Sequence, residues 1–237
     1  MANPYFSFKQ FTVYHNLCAM KVGIDGVLLG AWANIENAEQ ILDIGTGTGL
    51  IALMLAQRSN AIIDAIDIEK NAILQANENF TQSPWTNRIF AKKISLQDFS
   101  KNTTERYDLI ASNPPYFVNS TKTPNENRTN ARHTDSLTHE ALIDNSILLL
   151  KPTGRICIIL PVNEGLNCVD YAESKGLFCT KLVTVYPKPN VIAKRLLIEF
   201  SLQFSKKIDS EIVIESNVRH QYSLEFSNLA KDFYLKL

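Results

Sequence analysis

The sequence predicts an α/β fold, a mostly parallel, doubly wound sheet with helices on both faces and an antiparallel strand pair toward the C-terminus. Three observations predict it. Ile41 to Ile44, the turn Gly45-Thr46-Gly47-Thr48-Gly49 and the apolar stretch Leu50 to Arg58 read as strand, glycine loop and helix. A second strand, Ala61 to Ile66, closes on Asp67, about twenty residues past the glycines, the spacing at which a carboxylate meets a ribose. A third apolar run, Leu109 to Ala111, ends in Ser-Asn-Pro-Pro-Tyr, where Pro114 and Pro115 permit neither further ladder pairing nor a helix start.

The totals set bounds on these elements. A chain of 237 residues that is 45% apolar is long enough for one large domain with a modest extension. Its net charge is zero, so attraction to a nucleic acid would have to come from a local patch. Cys18, Cys157, Cys168 and Cys179 lack Cys-x-x-Cys spacing, and no histidine stands at ligand spacing. Reduced thiols in a cytoplasmic protein, with no metal, are therefore expected. The N-terminus has no basic region followed by an apolar core, and no apolar run reaches membrane-spanning length.

Residues 1–34 read as an extension packing over a ligand site, and residues 35–237 as the main domain. Lys9 and Lys21 precede Asp25 without an intervening acid, Gly23 and Gly26 suit turns or close backbone approach, and Val27 to Trp32 reads as a short buried helix. The extension is either a packing lid or a lid that also touches ligand. In the loop that follows, glycines let backbone approach a ligand and the helix start presents unpaired N–H groups. Its Gly-x-Gly-x-Gly spacing departs from the dinucleotide fingerprint Gly-x-Gly-x-x-Gly. Asp67 either holds ribose hydroxyls or caps the helix that begins near Lys70.

A helix from Asn71 to Phe80 is broken by Ser83-Pro84-Trp85, and Ile89 to Leu96 resumes strand character, with Ser95, Leu96 and Asp98 at its end. The polar stretch 118–135 carries Lys122, Arg128, Arg132 and His133; so long a loop after the proline corner is either placed to contact an entering substrate or a solvated surface loop. A helix from Glu140 to Leu149, a strand from Ile156 to Leu160 and a helix ending near Gly176 follow. Leu182 to Tyr186 and Leu196 to Phe204 then read as two strands around Pro187-Lys188-Pro189-Asn190. Lys181, Lys188, Lys194 and Arg195 occur there with no acid among them, either a phosphate-contacting patch or a solvated hairpin. Tyr222 to Tyr234 has helical spacing and is expected to dock on the sheet.

The proline corner carries the chemistry. The Asn113 amide oxygen and the Pro114 carbonyl can accept the two hydrogens of a planar NH2 group, and Tyr116 can stack on it. A plain strand-ending turn is the alternative.

With these residues in view, the chain resembles the class I S-adenosylmethionine-dependent methyltransferases, and more narrowly the bacterial tRNA-Val adenine-N6 methyltransferase family. The resemblance runs nearly end to end, through Phe8-Lys9-Gln10-Phe11, Met20-Lys21-Val22-Gly23, Leu28 to Ala33, Asp43 to Gly49, Ser83-Pro84-Trp85, Asn113 to Tyr116 and Phe233-Tyr234-Leu235. It implies a Rossmann-like seven-stranded sheet and S-adenosyl-L-methionine as cofactor, held by Lys21, Gly23, Asp25, Asp43, Gly45, Gly47, Gly49, Asp67, Ser95, Leu96, Asp98 and Asn113. Asn113, Pro114 and Tyr116 would be catalytic. Tyr116, Lys122, Arg128, Arg132, Lys188, Lys194 and Arg195 would meet the anticodon loop of a tRNA, with a monomer as the working unit. Ser95 stands where such enzymes usually place an aspartate, so Ser95 or Asp98 would meet the cofactor adenine. A glutamine side chain of a release factor, or an adenine of another RNA or of DNA, offers a similar NH2 group. A nicotinamide-dependent oxidoreductase would share the glycine loop and Asp67 but not the corner.

Overall fold

A computed structural model of the chain describes residues 3–18, 21–115, 137–218 and 221–237. Its centre is an eight-stranded sheet: β3 (Gln40–Ile44), β4 (Ile62–Asp67), β5 (Ile89–Lys93), β6 (Tyr107–Ser112), β7 (Leu150–Pro161), β8 (Phe178–Tyr186), β9 (Arg195–Ser201) and β10 (Ile208–Val213). The spatial order is β10-β8-β9-β7-β6-β3-β4-β5. Every neighbouring pair is parallel except the two made by β9, which runs antiparallel to both β7 and β8. Winding proceeds from β3 through β4 to β5 on one side and resumes with β6 on the other. The switch point therefore lies between β3 and β6, where open α/β sheets collect their ligands beyond the strand carboxyl ends.

Seven helices are described: α1 (Ile24–Trp32), α2 (Leu50–Arg58), α3 (Lys70–Thr81), α4 (Leu96–Asn102), α5 (His139–Leu149), α6 (Val162–Ser174) and α7 (Leu224–Ala230). Two apolar clusters divide the core between the sheet faces. One gathers α1, α2 and α7 with Ile41, Leu109 and Leu197; the other gathers α4, α5 and α6 with Leu42, Ile110 and Ile198. Adjacent strand residues thus point to opposite covered faces, which explains the continuous apolar runs in β3 and β6. Helix α1 packs against α2 at close range because Gly30 carries no side chain: a Cβ there would stand 2.8 Å from the Met54 sulfur.

The predicted fold class holds, with differences of detail. The eighth strand, β10, was not expected: four of its six residues are exposed, so it carries no apolar run. Strand β5 stops at Lys93, and Leu96 belongs to α4 rather than to a strand, because the Ser95 side chain caps that helix. The N-terminal segment forms a hairpin of β1 (Tyr5–Ser7) and β2 (Thr12–Tyr14). Three sequence blocks far apart in the chain meet around it. Phe8 stacks on Phe11 with ring centroids 4.7 Å apart, Phe11 meets the edge of Trp85 at 5.7 Å, and the Lys9 amide donates to the Phe233 carbonyl at 2.8 Å.

Candidate functional site at the switch point

The glycine loop after β3 is shaped by its backbone. Gly45, Gly47 and Gly49 have φ of 71°, 55° and 81°, left-handed values that side chains resist. A Cβ at Gly45 or Gly47 would meet nothing within 4 Å, so their outer face is open, whereas one at Gly49 would strike the Phe80 ring. The amides of Gly45 and Thr46 donate to the Ile66 carbonyl, at 2.9 and 3.1 Å, tying the loop to the end of β4. Asp67 completes the tie. Its Oδ2 accepts from the Gly47 amide and its Oδ1 from the Glu69 amide, both at 2.9 Å.

Asp43 sits beneath this loop, fully buried. Its Oδ2 accepts from the Thr46 hydroxyl at 2.6 Å and the Ala52 amide at 3.2 Å, while Oδ1 is buried with no hydrogen-bond partner. Burial pushes its pKa up to about 7 against the opposing pull of the two hydrogen bonds. The open face at Gly45 and Gly47 fits a ligand laid along the loop.

The proline corner is fixed beside the loop by a residue that sequence reasoning missed. Ser112, fully buried, donates its hydroxyl to the Ile44 carbonyl at 2.9 Å, joining the last residues of β6 and β3. Asn113 is half-buried and Pro114 buried directly beyond that link. Tyr116, Lys122, Arg128, Arg132 and His133 lie outside the described residues.

The other expected site residues are distributed as follows. Gly23 precedes α1 in extended conformation, not in a left-handed turn, and Lys21 is exposed. Asp25, in the first turn of α1, accepts from Arg195 Nε at 2.9 Å. Ser95 and Asp98 are engaged with each other: the Ser95 hydroxyl donates to Asp98 Oδ2 at 2.8 Å and accepts from the Asp98 amide at 3.1 Å. Leu96 is buried.

The expectation of four uncompensated cations around residues 181–195 is corrected for three of them. Lys181 pairs with Glu199 at 3.2 Å, Lys188 with Glu215 at 3.0 Å and Arg195 with Asp25. Strand pairing and chain crossover supply acids that are distant in sequence, so local charge counting could not see them. Among the described residues no group of three or more His, Cys, Asp or Glu could hold a metal, and no helix is long and apolar enough to cross a membrane.

A strand, an open glycine loop, a carboxylate at the next strand end and an Asn-Pro-Pro corner across the switch point define a methyltransferase. Residues 26–170 match the methyltransferase small domain family. Over its whole length the chain is 52% identical to the tRNA1(Val) (adenine(37)-N6)-methyltransferase of Parabacteroides distasonis, and 46% to that of Trichodesmium erythraeum, each match covering 100% of both chains. It belongs to the family of those enzymes. Among solved structures, a predicted O-methyltransferase from Agrobacterium tumefaciens superposes with a TM-score of 0.68 at 15% identity, covering 88% of this chain and 96% of that one. A ribosomal protein L11 methylase from Lactobacillus delbrueckii gives 0.56 at 15%, covering 80% and 83%; at such identity the likeness is one of fold.

Proposed function

We propose that this chain methylates the N6 amine of adenine 37 in a valine tRNA, with S-adenosyl-L-methionine as donor. The observation that carries the reading is the Asn113-Pro114 corner, tied by Ser112 beside an open glycine loop. The relatives matched end to end, named for adenine-37 N6 methylation, indicate which planar NH2 group the corner serves.

When bound, the cofactor supplies an electrophilic methyl group. Gly45 and Gly47 leave room for it along the loop, and Asp67, already braced by two amides, keeps lone pairs for ribose hydroxyls. Asp43 holds the loop from below and leaves Oδ1 as an acceptor on its buried side. Ser95 and Asp98, paired at the start of α4, form the polar edge assigned to the adenine end. The Asn113 amide oxygen and the Pro114 carbonyl hold the two N–H groups of the acceptor amine and turn its lone pair toward the methyl. These hydrogen bonds strengthen as positive charge develops on nitrogen, so they favour the transition state over the ground state. Alignment supplies a further share of the acceleration, and no separate base is needed in the transfer step, the surplus proton leaving the methylated nitrogen to water afterwards. Tyr116 is assigned the face of the extruded base, a contact worth about 1–3 kcal/mol.

Residues 1–34 serve as a cover over the cofactor site. Lys122, Arg128 and Arg132, together with Lys194 of the β8–β9 connection, are assigned to the anticodon loop, while Lys188 and Arg195 are engaged by Glu215 and Asp25; one chain is the working unit in the cytoplasm. Replacing Asn113 by Ala tests the corner. Methyl transfer to a tRNA1(Val) transcript should fall about 100-fold or more, on the scale of losing one preorganised polar group, with cofactor affinity nearly unchanged. An equal loss of cofactor binding would remove Asn113 from the acceptor site.

A further inference from the structure

The buried amide of Asn79 on α3 joins two segments distant in sequence, the N-terminal hairpin and the glycine loop. It is 1% exposed and all of its polar atoms are used. Its Oδ1 accepts from the Tyr14 amide at 2.9 Å; its Nδ2 donates to the Tyr14 carbonyl at 2.9 Å and to the Thr48 carbonyl, inside the glycine loop, at 2.8 Å. One side chain thus pairs with Tyr14 as a neighbouring strand would, and spends its remaining hydrogen on the loop. The next residue, Phe80, fills the space beside Gly49, so consecutive side chains of α3 hold the loop's last two residues.

The same helix carries the N-terminal segment onward. Gln75, one turn earlier and fully buried, accepts from the Leu17 amide through Oε1 at 3.0 Å. Helix α3 begins just after Asp67, so a segment passing from Asn79 to Gln75 climbs toward that carboxylate. Cys18 is the next residue after Leu17, and the Asp67 charge, second to burial, pushes its thiol pKa up. The two amides therefore lay residues 14–17 along α3, in the direction of the carboxylate assigned to the ribose.

We infer that Asn79 is a positioning residue for the cofactor: it couples the N-terminal segment to the glycine loop and so sets both walls of the S-adenosylmethionine site without touching the ligand. This rests on the cofactor named above. A lost buried hydrogen bond would cost stability wherever it lay, but here the loss is transmitted to a ligand-binding loop through Thr48.

Asn79→Asp tests the inference, because an aspartate keeps the shape and the acceptor for Tyr14 but cannot donate to the Thr48 and Tyr14 carbonyls. Calorimetric titration with S-adenosylmethionine should show binding weakened about 10-fold or more, a rise in Kd equivalent to about 1.4 kcal/mol. At saturating cofactor the KM for tRNA should stay within about twofold, and amide exchange over residues 45–49 should quicken. Gln75→Leu, which frees the segment at Leu17 while leaving Thr48 held, should weaken cofactor binding in the same direction by a smaller factor. A folded Asn79→Asp protein with wild-type cofactor affinity overturns the inference, whatever its melting temperature. If that variant does not fold, unchanged affinity in Gln75→Leu overturns it instead. Failure of the unmodified protein to bind S-adenosylmethionine would count against the proposed cofactor, a result separable from either of these.

Discussion

Asp43 shows what a single residue's environment does to its role. In sequence it is the last polar residue before a glycine loop, which suggests contact with ligand; in the fold it is sealed below that loop with its pKa raised to about 7. Between the unfolded value of 3.8 and about 7 the folded chain retains a proton that the unfolded chain has lost. Stability therefore falls as pH rises through that window and levels off above it. Asp43→Asn keeps the acceptor for Thr46 and Ala52 but cannot ionise. The stability of the wild-type chain relative to this variant, from urea unfolding, should fall by a few kcal/mol between pH 4 and pH 7, then stay flat. A pH-independent difference would mean that Asp43 is not held neutral. Ser112 and Asn79 escaped sequence reading for a related reason: each is an ordinary polar residue whose partner, Ile44 or Thr48, lies 68 or 31 positions away.

At the scale of elements, the glycine loop separates two effects that look alike in sequence. Gly47 and Gly49 are both left-handed, but Gly47 faces open space and Gly49 faces Phe80. Gly47→Ala should cost about 1–3 kcal/mol of backbone strain and, by placing a methyl group on the open face, weaken cofactor binding about 10-fold. Gly49→Ala should be the more destabilising of the two, since strain is joined by a clash with a buried ring. Thermal unfolding and calorimetry on both variants check this ordering; equal melting temperatures would contradict it. Strands β3, β4 and β6 and the loop were legible because apolar runs, glycines and prolines are local signals. Strand β10 was not, since an exposed edge strand has no such run, and α4 was hidden by a strand-like sequence that Ser95 ends by capping a helix.

For the whole molecule, zero net charge and the ion pairs of Lys181, Lys188 and Arg195 leave little long-range attraction for an RNA. Recognition must then depend on a few local contacts, with Lys122, Arg128 and Arg132 the leading candidates. Replacing all three by Ala should weaken tRNA binding and reduce the slope of log affinity against log salt by about 2, at roughly 0.7–0.9 per phosphate contact. An unchanged slope would assign the contacts elsewhere. The mostly parallel, doubly wound sheet with its ligand edge followed from the sequence pattern, whereas this charge balance did not, because opposite charges are brought together by topology.

The most direct test of the central claim is transfer of labelled methyl from S-adenosylmethionine to unmodified total tRNA, with purified release factor as a parallel acceptor, followed by nuclease digestion and nucleoside mass analysis. The account predicts N6-methyladenosine in a valine tRNA at position 37 and no label in the release factor. Label in the release factor, or in neither acceptor, would contradict it.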